Sequence, residues 1–172
     1  MNKKNWGVVA LALFTGCSAC ESLEERELKY GKAPPVIEQS FASKAMGKGD
    51  TWRIYLKASD PDGDMKTIVV YFEKGGIQGT ASISHTRIKE GDRQEINGYL
   101  YWYPGPDWDV VPEMVMTVQI QDMAGHFSNP VFLPLKIQLS GSQELPSEGA
   151  FQEKELGPVM ISSRPVSAKG GP

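Results

Sequence analysis

The sequence predicts an all-β domain, a two-sheet sandwich of seven strands spanning residues 34–140. Three observations point there. Short segments rich in Val, Ile, Thr and aromatics recur, separated by turn residues. Two of them alternate cleanly between apolar and polar positions. Helical periodicity is absent across the region. Seven short strands at this spacing are the pattern of a sandwich.

The strands are expected at Val36 to Phe41, Thr51 to Ala58, Thr67 to Glu73, Thr80 to Ile88, Glu95 to Tyr103, Met114 to Asp122 and Val131 to Leu139. In the second, Trp52, Ile54, Leu56 and Ala58 fall on one face, and Arg53, Tyr55 and Lys57 on the other. In the sixth, Met116, Val118 and Ile120 oppose Thr117, Gln119 and Gln121. A period of two with one apolar face is a half-buried antiparallel strand. Ile68-Val69-Val70-Tyr71-Phe72 is apolar on both faces, which places it centrally in its sheet. Leu100 and Trp102 share the inward parity of the fifth strand, and Pro104 ends it. Tyr99, Tyr101 and Tyr103 then line its outer face. They read either as a partner surface or as ordinary cross-strand packing.

The chain begins differently. MNKKN precedes nine apolar residues, Trp6 to Phe14, and then Thr15-Gly16-Cys17. A basic start, a short apolar run and small residues form a secretion signal. Nine residues fall short of the roughly 20 that a spanning helix needs. Removing residues 1–16 takes Lys3 and Lys4 with it, shifting the formal charge from -3 to -5. An acidic chain does not argue for nucleic acid or for anionic lipid. Residues 17–33 are crowded with charge and read as a tether, with a helical turn or two around Leu23 and Leu28. Residues 141–172 are polar and rich in Pro, Gly and Ser, and read as a disordered tail. Val159-Met160-Ile161 is an apolar island within it that has the makings of a docking segment.

Two resemblances add to this. Gly16-Cys17 after the apolar run resembles the lipobox of bacterial lipoproteins, although Phe14 stands where that motif has Leu. The resemblance implies cleavage before Cys17 and acylation of it. More than one acyl chain is what stable anchoring requires. Ser18 after the cysteine implies passage to the outer membrane. The alternatives are cleavage before Cys20, or an ordinary signal with two spare cysteines. Further on, Ala58-Ser59-Asp60-Pro61-Asp62-Gly63-Asp64, then Asn97-Gly98-Tyr99-Leu100-Tyr101-Trp102-Tyr103-Pro104, then Val118 to Ser128 occur in order. Together they resemble the cadherin-like, immunoglobulin-like domains of bacterial surface proteins. That resemblance implies the sandwich fold and leaves the function open.

Asp60, Asp62 and Asp64 alternate in one loop, and Asp122 is placed at the same end of the sandwich. Clustered carboxylate oxygens suit calcium, which takes about 6 to 8 hard oxygen ligands. In cadherins the similar segment binds calcium between successive domains. The structural alternative is that Asp and Gly simply build the turn. An EF-hand is excluded, because the position its glutamate would occupy is Tyr71. Gly75-Gly76 follows a strand with no helix after it, so it is a turn rather than a phosphate cradle. His85 and His126, the only histidines, lack the spacing of a nucleophile system. Trp108, beside Asp107 and Asp109, has the chemistry to hold a sugar or to plug the sandwich end.

The reading is a lipid-anchored envelope protein, non-catalytic, acting as an interaction or structural module with a protein partner. A carbohydrate-binding module is the alternative, and an envelope hydrolase a distant third.

Overall fold

The computed structural model describes residues 21–74, 81–105 and 113–161. In chain order they form α1 (Leu23–Tyr30), β1 (Val36–Ala42), β2 (Ala45–Gly47), β3 (Trp52–Ser59), β4 (Met65–Lys74), β5 (Ala81–Arg87), β6 (Glu95–Trp102), β7 (Met114–Asp122), β8 (Val131–Gln138) and β9 (Glu155–Pro158). Two sheets face each other, one ordered β1-β3-β6-β9 and the other β2-β8-β7-β4-β5. Neighbours are antiparallel except β2 against β8 and β6 against β9. The expected all-β sandwich is the observed architecture.

The core follows from side-chain parity. Trp52, Ile54, Leu56 and Ala58 of β3 are buried, as are Leu100 and Trp102 of β6. Met114, Met116, Val118 and Ile120 of β7 and Ile68 and Val70 of β4 meet them from the other sheet. The rings of Phe72 and Trp102 pack with centroids 6.2 Å apart across this core. Each fully buried aliphatic side chain here contributes about 1.5–3 kcal/mol relative to exposure. Strand β4 runs between β5 and β7, as its two apolar faces require, and Val69 on its outer face is also buried.

Among the described residues the structure has nine strands, the expected seven and two more. The first addition, β2, is three residues long, too short to show a period. The second, β9, corrects the reading of 141–172 as disordered over its described part. Composition there is polar because β9 is an edge strand with few inward positions. Its Glu155 and Gly157 register against Tyr99 and Leu100 of β6. Close approach is made possible by Gly98, where a Cβ would lie 2.2 Å from the Lys154 carbonyl oxygen. Val159 does dock, becoming part of the core. Residues 162–172 lie outside the described residues.

The helical turn or two expected around Leu23 and Leu28 is α1, eight residues and about two turns long. Ser22 caps it: its Oγ accepts from Glu25 N–H while the Glu25 carboxylate accepts from Ser22 N–H. The Ser-x-x-Glu spacing that signals this reciprocal cap is in the sequence. Two glutamates in the first turn and Lys29 in the last suit the helix dipole.

Candidate functional site

Strand parity delivers two carboxylates to one end of the core. Asp60 takes the next inward position after Ala58 of β3, and Asp122 the next after Ile120 of β7. They come from opposite sheets. Asp64 precedes the first residue of β4, whose Met65 registers with Asp122. All three are buried, and one carboxylate oxygen from each lies within 4.8 Å of the others.

The loops that carry them are shaped by the same side chains. Asp62 N–H donates to Asp60 Oδ1 at 2.9 Å, and Gly63, at φ 70°, completes the turn. Gly125 and His126 N–H both donate to Asp122 Oδ1, at 2.6 and 2.8 Å. Met123 N–H donates to Asp64 Oδ2 at 3.1 Å. Two oxygens are left over. Asp60 Oδ2 and Asp64 Oδ1 are buried without a hydrogen-bond partner. Burial, then the adjacent Asp64 and Asp122 carboxyls, push the Asp60 carboxyl up to about 6, against the opposing hydrogen bond from Asp62 N–H.

Orphaned buried carboxylate oxygens are costly unless something positive meets them. Oxygens all within 4.8 Å of one another are able to contact a single ion at the roughly 2.3–2.6 Å typical of calcium. The residues therefore fit a hard divalent cation, with Asp60, Asp64 and Asp122 as its carboxylate donors. Asp62 is a correction to the expected four. Although it shares their sequence parity, its side chain lies in the turn, is exposed, and accepts from Ala33 N–H at 2.8 Å.

That contact brings α1 to the site. Gly31, just past the helix, sits so close to Asp62 that a Cβ would fall 2.0 Å from its Oδ2. His126 bridges the rest. Its Nδ1 lies 2.9 Å from Asp122 Oδ2 and its Nε2 3.1 Å from Glu27 Oε1 on the helix. The hydrogen bond to Glu27, and then that to Asp122, hold its imidazole pKa above the ordinary value. A protonated ring donates from both nitrogens. Lys32 pairs with the other Glu27 oxygen at 3.7 Å. His126, whose sequence spacing marks no nucleophile system, thus joins helix to cluster. Glu27 carried no distinguishing signal, since its partner lies 99 residues away.

The tyrosine row is only partly open. The Tyr99 ring packs on Tyr55 at 5.6 Å, under the Arg53 guanidinium at 4.6 Å. Phe151 covers Tyr55 at 5.5 Å, and Glu153 binds both Arg53 and Tyr55 Oη at 3.0 Å. Tyr101 is half-buried opposite Pro158 of β9, and Tyr103 is the exposed member at 55%. The outer face is thus a packed layer rather than a bare row. Cys17 and Trp108 lie outside the described residues. Among the described residues no helix is long and apolar enough to cross a membrane.

No family model matches the chain, and no curated protein matches it. Among solved structures it is similar to a cycloisomaltooligosaccharide glucanotransferase from Paenibacillus sp., complexed with cycloisomaltoheptaose. Identity there is 15%, TM-score 0.37, with 64% of this chain and 15% of that chain covered. A CARDB domain from Pyrococcus furiosus, in complex with di-metal ions, aligns at 7% identity and TM-score 0.33, covering 62% of this chain and 89% of that one. A β-glucosidase from Listeria innocua in complex with glucose aligns at 10% identity and TM-score 0.35, covering 67% and 17%. The chain spans about 15% of the first of these. Likenesses at this level define neither substrate nor activity.

Proposed function

We propose that the chain is a lipid-anchored, non-catalytic envelope module whose sandwich holds a calcium ion at the end nearest its anchor. The observation that carries this is the pair of orphaned oxygens, Asp60 Oδ2 and Asp64 Oδ1, inside a buried group of three carboxylates. A proton shared within the group is the alternative to a cation, and the raised Asp60 pKa marks the burial of its charge, and then the crowding of carboxyls, that either would relieve. Calcium suits it better than magnesium, because it tolerates the irregular coordination of a loop-built site where magnesium demands a near-ideal octahedron. The anchor reading is supported by the basic-apolar-small order that ends at Cys17. The non-catalytic reading is supported by the position of His126. Both ring nitrogens are engaged by carboxylates, which leaves neither for a nucleophile.

Calorimetric titration of the full chain with calcium chloride tests the site. Saturable binding in wild type and its loss in Asp64→Asn is the expected result. An absence of binding at millimolar calcium would overturn it.

A further inference from the structure

We propose that the cation site is the keystone of a latch that locks the tether helix α1 to the sandwich, so that calcium fixes the domain's orientation on its tether. This rests on the cation reading above and extends it to the helix.

The helix has little else to hold it. Eight residues are too few for a stable isolated helix, and none of them is buried. Leu28 is 85% exposed and Leu23 48%, so the apolar side chains do not dock. The attachment is polar and runs through the two loops that supply the carboxylates. On one side the loop of Asp60 and Asp64 presents Asp62, which accepts from Ala33 N–H and receives Gly31 at close range. On the other, the Asp122 loop presents His126 to Glu27, and Arg26 lies against Gly125, where a Cβ would come 2.8 Å from its Nη1. The helix straddles two loops, the β3–β4 crossover between the sheets and the β7–β8 connection within the second.

A continuous chain of contacts links helix and site: Glu27 Oε1, His126 Nε2, His126 Nδ1, Asp122 Oδ2. A carboxylate oxygen has two lone pairs, so Asp122 Oδ2 accepts from Nδ1 and retains one for an ion. Partners behind a metal-ligating carboxylate orient it, and their loss typically costs about 10–100-fold in metal affinity. Glu27 holds His126, and His126 holds Asp122. Glu27 and His126 are therefore positioning residues, remote from the ion but coupled to it. Drawing Asp60, Asp64 and Asp122 onto one ion also fixes the separation of the loops, which is the width of the seat that α1 occupies. Coupling of this kind is reciprocal: whatever factor calcium adds to helix docking, the docked helix adds to calcium binding.

The test is amide hydrogen exchange of the full chain, read on peptides covering residues 23–33, with calcium chloride or with chelator. Calcium is expected to slow exchange across α1 by about fivefold or more, the lower end of typical coupling. Glu27→Ala, on an exposed helix whose loss leaves the sandwich core intact, is expected to abolish that protection. It should weaken calcium binding by the same factor. Glu27→Gln, whose amide oxygen still accepts from Nε2–H, should retain part of both effects. If wild type binds calcium but α1 exchange is unchanged, the latch is wrong and the cation site stands. The latch is equally overturned if Glu27→Ala leaves calcium affinity untouched. If wild type binds no calcium, both readings fall together.

Discussion

A single buried methyl or carboxylate oxygen decides much in this domain. Ile120 is wholly buried between the sheets, one parity step from Asp122. Ile120→Ala is expected to cost about 2–5 kcal/mol in a chemical denaturation curve, the usual range for emptying such a site. Gly98 acts from the backbone side. Gly98→Ala puts a carbon on the Lys154 carbonyl, so β9 must shift. The expected outcome is a destabilisation of about 1–3 kcal/mol, the range for overpacking, with exchange of the β9 amides rising before that of β3. Parity made Ile120 legible, and the same reasoning extended one step places Asp60 and Asp122 inward. The exclusion of Asp62 was not legible, because period-two parity groups it with Asp60 and Asp64; it is the tight turn at Gly63 that turns Asp62 out to Ala33. Nor was the role of His126, because its second partner arrives from a helix outside the sandwich.

At the scale of elements, the strands read from the sequence match those observed to within a few residues. The two that were missed share a physical cause. A three-residue strand has no period, and β9 lies in a segment whose composition is dominated by what is outside it. Both pair in parallel at or near sheet edges, where turn geometry does not announce them. The C-terminal segment is tied in by more than its ladder. Thr86 Oγ1 donates to the Pro158 carbonyl and Ser84 Oγ accepts from Met160 N–H, so β5 is stapled to β9 across the sandwich opening. A chain ending at residue 150 lacks this closure and leaves the β6 edge unpaired. Such an edge invites association with other chains. Size-exclusion chromatography of the truncated chain is expected to show a lowered melting midpoint accompanied by higher-order species, where the full chain remains discrete. The helix presents the opposite case. Its cap Ser22–Glu25 was written in the sequence, and Ser22→Ala should cost the helix about 1 kcal/mol, read as faster exchange within α1 alone.

For the whole molecule, the proposals concern an acylated start and a cation between the sheets. Intact mass of the membrane-extracted protein is expected to exceed that of the polypeptide from residue 17 by the added acyl chains. Calcium removal tests the second proposal. A ligand that binds only the folded state and is present at about 100 times its dissociation constant adds about 2.7 kcal/mol. For a domain of this size that amounts to a rise in midpoint of roughly 5–15 °C, reversed by chelator and absent in Asp64→Asn.

The pairing of β6 with β9 has a consequence in time as well as in space. Ribosomes release the chain from its N-terminus, so β1, β3 and β6 exist long before their last neighbour. The first sheet stays one ribbon short until residue 158 has emerged, almost the whole of the 172-residue chain. An unfinished sheet is slow to commit, which suits a polypeptide that a secretion signal would direct through a translocation pore while still unfolded.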